Sequence, residues 1–385
     1  MRGSPLAWPS AWPLAGNSES RSCRRRLNAH WNQPLKILIL KPSSLGDVVQ
    51  ALPVLRLLKQ QLPHSQIYWW VDSKLAPLLD GDPDLAGVVK FERRHWFTPS
   101  RWRRVWSSMV WIRAQAFDWV IDLQGLARSG FVTWVANGQL TVGLDDAREG
   151  ANGFYDLRTR PSPFLTHAVD RYLGILPLLG LAVHHNFQWL PPRPAVAAAL
   201  RRKWPVDGFR WLIVQPGARW LNKRWPDEYF AQTVRQLAAE HSDLRFAILG
   251  GNEDRPLGER IAGVLPDRCL DLTGALTLPE MVEWIRLSQL MVTNDTGPMH
   301  VAAALGKTVV APFGPTEPCR TGPYGQLDHV LQLKLPCVPC LKSRCTYHQP
   351  MECLKALTPA TLIPAARKLL AHGSSVGRVP PCPPL

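Results

Sequence analysis

Acidic side chains are in short supply in this chain: 30 Asp and Glu stand against 45 Lys and Arg, a formal charge of +15. That balance points to acidic partners, such as a phosphorylated glycolipid, a membrane surface or nucleic acid. No recognised nucleic-acid-binding module accompanies it, so nucleic acid is not expected. Long apolar runs are missing too. A membrane-spanning helix needs about 20 apolar residues, and the best candidate, 164–183, is interrupted by His167, Asp170 and Arg171. A core helix is expected there instead. No apolar run near the start is long enough for a signal-peptide core, and no short-period repeat occurs. Nor is there an obvious pair of carboxylates of the kind used to form a covalent glycosyl intermediate.

What remains is a globular composition, 46% hydrophobic and 19% charged, over 385 residues. That is long enough for two domains with proper cores. Residues 1–34 stand apart, with Arg24-Arg25-Arg26 among scattered Pro and Trp, and are expected to be a disordered basic extension. Residues 373–385 are expected to be a disordered tail. Four of the eight cysteines fall in Cys337-x2-Cys340-x4-Cys345-x7-Cys353. Such spacing suggests zinc, but the last interval is irregular for a ribbon. Reduced thiols in a loop are the expectation, and no metal ligand is assigned.

Extended apolar runs alternate with helix-length stretches. The candidate strands are Lys36–Leu40, Ile67–Val71, Gly87–Phe91, Trp119–Leu123 and Leu140–Gly143, with helices over Val48–Gln61 and Trp102–Ala116. After the Pro-rich junction Leu190–Pro194 the pattern restarts with Trp211–Val214, Phe246–Leu249, Leu290–Val292 and Thr308–Ala311. This alternation predicts an α/β fold of two Rossmann-like, doubly wound parallel sheets. The units are 35–190 and 195–357, the latter carrying the Cys-rich loop. A last helix, 358–372, is expected to pack back towards the first unit.

The run Thr293-Asn294-Asp295-Thr296-Gly297-Pro298-Met299-His300 reads as strand end, turn and helix start, with Asp295 or Thr296 as cap. Such a turn collects free N–H groups at the positive end of a helix and suits an anion. Gly297 would leave room for ligand oxygens, and His300, one turn in, would donate to the same ligand. Asp47 ends the turn Ser43-Ser44-Leu45-Gly46 after the first strand. It could be an ordinary helix cap, or a carboxylate kept ionised at a helix start to serve as a base. Micromolar binding of an anionic ligand needs about 8 kcal/mol, while one helix N-terminus supplies only ~0.3–1 kcal/mol. A charged hydrogen bond adds roughly 1.5–3 kcal/mol. Lys223, in the loop that follows Gly217, is the natural source, with Arg219 and Arg224 as alternatives.

Further segments complete the pattern: Gly314-Pro315-Thr316-Glu317-Pro318, Thr321-Gly322-Pro323-Tyr324-Gly325, Gln215–Trp220 with Lys223-Arg224-Trp225-Pro226, and Ile37–Asp47. Together with the 295–300 run they resemble the lipopolysaccharide heptosyltransferase family, glycosyltransferase family nine, in matching order across residues 35–370. The resemblance implies the two-lobed GT-B architecture. It also implies an inverting, metal-independent glycosyltransferase that moves heptose, or a related sugar, from an ADP-sugar to a lipopolysaccharide core or other cell-envelope glycan. Asp47 becomes the general base, Lys223 the loop lysine that neutralises the departing phosphate, and Glu253, after Gly250-Gly251, a nucleoside contact. No cofactor is implied beyond the ADP-heptose substrate.

With Asp47 and Lys223 as the catalytic residues, the donor side comprises Gly217, Lys223, Glu253, Asp295, Thr296, Gly297 and His300, and the acceptor side Ser44, Gly46, Asp122 and Arg128. The family often carries Ser or Thr near Ala218 and Arg219; their absence here leaves the phosphate contacts open. A cytoplasmic enzyme, peripheral at the inner face of the cytoplasmic membrane and acting on an anionic glycolipid, is expected. A nucleotide-sugar epimerase on the same architecture is the alternative. Asp82-Pro83-Asp84 reads as a turn, not a metal site. Trp102, Val105, Trp106, Met109 and Ile112 recur at helical spacing and are expected in the core, with Arg101, Arg103, Arg104 and Arg113 facing solvent.

Overall fold

The structure, a computed structural model, describes residues 34–93, 96 and 98–372. The basic extension (save Pro34), the tail, and Arg94, His95 and Phe97 lie outside the described residues. In the first sheet β1 (Lys36–Leu40) is central, flanked on one side by β2 (Gln66–Asp72) and β3 (Gly87–Phe91). On the other side lie β4 (Trp119–Asp122), β5 (Leu140–Gly143) and β6 (Leu157–Arg158). The second sheet repeats the plan about β7 (Arg210–Gln215). Beyond it run β8 (Leu244–Ile248) and β9 (Cys269–Asp271), and on its other side β10 (Leu290–Thr293), β11 (Thr308–Phe313) and β12 (Val330–Gln332). Every strand pairing is parallel.

Ten helices longer than five residues cover these sheets among the described residues. In the first lobe they are α1 (Leu45–Gln61), α2 (Trp102–Ala114), α3 (Ala127–Ala136) and α4 (Ala168–Leu173). The linker leads into α5 (Pro194–Lys203), followed by α6 (Asp227–Glu240), α7 (Arg255–Ala262), α8 (Leu278–Leu287), α9 (Gly297–Ala304) and α10 (Pro359–His372).

Strand side chains alternate between faces, and the packing follows that rule. Ile37 and Ile39 enter one apolar cluster, Leu38 and Leu40 another. In the second lobe Trp211 and Ile213 join the cluster of Ile37, while Leu212 and Val214 enter a third. One apolar layer therefore runs between the sheets, filled by α1, α8 and α9, and each sheet has its own outer layer. Truncating a layer residue such as Ile39, fully buried, to Ala should cost about 2–5 kcal/mol. The linker is fixed at both ends: Arg56 of α1 donates to Trp189 O at 3.1 Å, and Arg286 of α8 donates to Leu190 O and Pro191 O at 3.3 Å.

Several expectations need correction. Helix α1 starts at Leu45, not Val48, because Ser44 is its N-cap and Asp47 its third residue. The stretch 164–183 is not one helix; α4 ends at Leu173 and a short 3-10 turn over Leu176–Leu179 follows. Helix α10 packs on α6, β10 and β11 of the second lobe, placing Leu362, Ile363 and Ala366 beside Leu212. It does not return to the first lobe. Of the five α2 residues assigned to the core, only Met109 and Ile112 are buried, and Trp102 and Trp106 are 59% and 72% exposed. Asp82 and Asp84 form a turn, and both carboxylates are taken by Arg56, at 2.5 and 2.6 Å.

Candidate active site

In open α/β sheets ligands sit beyond the carboxyl ends of the strands. There the two lobes enclose one cavity of ≈ 1170 Å³. Ser44, Leu45, Gly46, Asp47 and Gln50 line it from the first lobe; Gly217, Lys223, Glu253, Asp295, Thr296, Gly297 and His300 line it from the second.

Asp47 is held at the first turn of α1. Its Oδ2 accepts from the Ser44 backbone N–H at 2.8 Å and from Ser44 Oγ at 2.7 Å. Its Oδ1 has one long contact, 3.4 Å from the Tyr172 hydroxyl. One oxygen is thus spent on closing the helix, and the other is available. Burial pushes the Asp47 pKa up, but the Lys41 ammonium and the two Ser44 hydrogen bonds outweigh it, leaving the carboxyl below the usual range. Lys41 follows β1 in a buried position, donates to Leu123 O at 2.9 Å, and lies 4.7 Å from the centre of the Tyr172 ring.

Across the cavity, Lys223 Nζ lies 2.6 Å from Asp295 Oδ2, which also accepts from Thr316 Oγ1 at 2.6 Å. Asp295 therefore orients the lysine, and the pairing offsets a buried negative charge that would oppose a diphosphate. Thr296 is the N-cap of α9, yet its hydroxyl makes no capping bond, and Thr296 Oγ1 is buried without a hydrogen-bond partner. Buried hydroxyls are seldom left so. The start of α9 thus lines the cavity with its first-turn backbone, and the Thr296 hydroxyl lies unpaired just beneath that surface. Glu253 is exposed at the rim.

The glycines line the cavity, and the space a side chain on each would need is already filled by protein. A Cβ on Gly46 would run into the His300 ring, and one on Gly297 would stand 2.9 Å from Leu45 Cβ. The two motifs interlock across the lobes through these gaps. A Cβ on Gly217 would collide with the Asp254 carboxylate, and one on Gly250 would lie 2.7 Å from Asp254 Cβ. His300 lines the cavity from the first turns of α9. It lies against Gly46, with Gln50 Nε2 3.2 Å from its Nδ1. Burial lowers its pKa to about 4, so it is neutral near pH 7.

Two acceptor-side assignments fall outside this cavity. Asp122 is fully buried at the end of β4, accepting from Gln124 N, Gly125 N and the Tyr155 hydroxyl, and burial raises its pKa. Its place is structural, fixing the β4–α3 loop. Arg128 stacks over Phe91 and Trp96 at 5.4 and 5.7 Å. Conversely, the sequence reading passed over Lys41, Asp254, Arg148 and the apolar wall of Leu249, Leu276 and Met281, the last five of which line the cavity. Lys41 had a signal, a charge directly after the apolar run Ile37–Leu40. Arg148 had none, since only the β5 loop brings it there. Among the described residues no group of three or more His, Cys, Asp or Glu is arranged to hold a metal ion. Cys337, Cys340, Cys345 and Cys353 are free thiols.

Comparison with known proteins fits this geometry. The model of glycosyltransferase family 9 (heptosyltransferase) matches residues 104–350. Lipopolysaccharide heptosyltransferase 1 of Pseudomonas aeruginosa is 30% identical over 330 residues, covering 83% of this chain and 89% of that protein. The Escherichia coli heptosyltransferase WaaC, solved with ADP, superposes with a TM-score of 0.68 at 23% identity over 88% of this chain and 99% of that one. A Listeria monocytogenes structure assigned as a UDP-N-acetylglucosamine 2-epimerase reaches a TM-score of 0.51 at 14% identity, over 88% of each chain. At such identities the two solved structures speak for the fold alone.

Proposed function

The chain belongs to glycosyltransferase family 9, the heptosyltransferases, and from that premise we propose that it transfers heptose from ADP-heptose to the core of a lipopolysaccharide acceptor. The observation that carries the reading is a single cavity with a held carboxylate, Asp47, on one wall and the cation Lys223 beside an open helix start on the other. Leu249, Leu276 and Met281 would take the nucleobase, and Glu253 the ribose. The diphosphate would lie between Lys223, the Thr296 hydroxyl and the first amides of α9.

In the transfer step, Asp47 Oδ1 accepts the proton of the acceptor hydroxyl as its oxygen bonds to the anomeric carbon of heptose. The bond from that carbon to the β-phosphate oxygen breaks, and ADP leaves with the electron pair, its charge met by Lys223 and the α9 amides. Attack opposite to departure inverts the anomeric centre. In this scheme the protein's own cations supply the stabilisation that a divalent ion gives in other sugar transferases, so neither metal nor cofactor takes part. Among the described residues no helix is long and apolar enough to cross a membrane. We place the enzyme at the cytoplasmic face of the inner membrane, as a peripheral protein meeting a lipid-anchored substrate.

The test is to incubate the purified protein with ADP-heptose and heptose-deficient lipopolysaccharide, following ADP release and the mass of the glycolipid. One added heptose per acceptor is the expected result. Conversion of the sugar nucleotide to an isomer without acceptor would instead establish the epimerase reading.

A further inference from the structure

Each sheet of this protein has an outer apolar layer, and the first lobe's is covered by α2 and α3, whose outward side chains are exposed among the described residues. Twelve large hydrophobic side chains are exposed among the described residues, and six of them sit on these two helices: Trp102, Trp106, Val110, Trp111, Phe131 and Trp134. Scattered exposed apolar residues are ordinary, but a contiguous group is not. The group continues inward, with Trp96 5.9 Å from Phe131 and Phe131 5.8 Å from Trp134. Charge reinforces the pattern. Between Glu92 and Asp118 the sequence holds six arginines, four tryptophans and no carboxylate. Arg101, Arg103, Arg104 and Arg113 are all exposed.

We propose that the outer face of α2 and α3 is the surface by which this enzyme docks on an anionic lipid bilayer, its tryptophans in the headgroup–acyl boundary and its arginines on lipid phosphates. Tryptophan prefers that boundary because its ring is apolar and its N–H polar. Arginines beside it draw the helix face to negative lipid. A second copy of this chain is a poor occupant, since a two-fold contact would press arginines against arginines with no carboxylate between them. The location suits the task. Helix α3 begins just beyond β4, and Gly125 O, in that loop, accepts the backbone N–H of Arg148, which lines the cavity. A bilayer on this face thus presents headgroups beside the cavity rim. This inference rests on the lipid-anchored acceptor proposed above and names the surface that meets it.

The experiment is flotation of the full chain with vesicles of phosphatidylethanolamine and phosphatidylglycerol in a 7:3 ratio, against pure phosphatidylcholine vesicles, at rising salt. Wild type should float with the anionic vesicles and release as salt screens the arginines. Arg103→Ser with Arg104→Ser should weaken partition by roughly twentyfold. Trp106→Ser with Trp134→Ser should weaken it on the order of tenfold. Both variants should keep the wild-type thermal shift with ADP, which shows that they are folded. Unchanged flotation in either folded variant, absence of wild-type flotation, or an effect confined to sedimentation as a dimer would each overturn the assignment. Flotation needs neither donor nor turnover, so it can fail while heptose transfer stands, and the reverse.

Discussion

The first turn of α1 and the first turn of α9 follow central strands of their sheets and meet in the same cavity, but one is closed and the other open. At α1 the Asp47 carboxylate folds back onto Ser44 and takes both the backbone N–H and the hydroxyl of that N-cap residue. At α9 the cap hydroxyl of Thr296 is unused, and the neighbouring Asp295 has turned aside to hold Lys223. A helix start satisfied by its own carboxylate repels further anions and holds an ionised base. A helix start left unsatisfied takes a ligand's oxygens. The same strand-turn-helix unit thus yields proton abstraction in one lobe and diphosphate capture in the other.

This contrast can be broken hardest at Asp47. Asp47→Ala should lower kcat by roughly 10²–10⁴-fold, the usual share of a general base, while ADP affinity by calorimetry stays within a factor of two or so of wild type. A large loss of ADP affinity would mean that the closed end also binds donor.

His300 couples the two ends, and pH tests that coupling. Its folded pKa of about 4 lies below the unfolded value near 6.5. The unfolded chain therefore binds more protons between those limits, and stability drops as pH falls through that window. The loss should approach about 3 kcal/mol by pH 4. Urea midpoints between pH 7 and 4.5 should show this slope, and His300→Gln should flatten it. Equal slopes in both proteins would rule out a buried neutral imidazole.

At the open end, Lys223→Ala should weaken ADP binding by ~1.5–3 kcal/mol and also destabilise the fold, because Asp295 is left buried without its cation. Adding Asp295→Asn should restore thermal stability but not affinity. Recovery of both would make the lysine purely structural.

The smallest effects discriminate most finely. Ser44→Ala should cost about 1 kcal/mol of stability and move the acid limb of the pH–activity profile upward, since Asp47 loses one of the bonds that lower its pKa. Thr296→Val should leave stability unchanged within about 0.5 kcal/mol, because its hydroxyl is unpaired, yet reduce ADP affinity by ~0.5–1.5 kcal/mol. If the two substitutions behave alike, the distinction between closed and open ends is wrong.

Strands of four or more residues were legible in the sequence because buried parallel strands are near-continuous apolar runs; β1, β5 and even the edge strand β3 begin and end where the alternation places them. The strands that went unread, β6, β9 and β12, are sheet edges of two or three residues, too short to show a period. Glycines announced clearances at 46, 217 and 297, but a sequence does not say what fills a clearance, and here it is His300, Asp254 and Leu45. The motifs placed Asp47, Lys223 and Thr296 at the cavity. Burial misled elsewhere. Asp122 is polar but sealed inside, and Trp102 and Trp106 follow a core spacing on a helix that buries only Met109 and Ile112 of that stripe. Periodicity reports an apolar stripe and is silent on what covers it.

The apolar layer between the sheets has a consequence for anyone wishing to recombine such enzymes. Ile37 and Ile39 of one lobe and Trp211 and Ile213 of the other belong to a single cluster, so cutting at the proline junction splits a core and does not separate two modules. A chimera that exchanges one half for a relative's inherits an oily surface shaped for a lost neighbour. Acceptor and donor preferences are better swapped by grafting loops at the rim, where no side chain has to leave that shared interior.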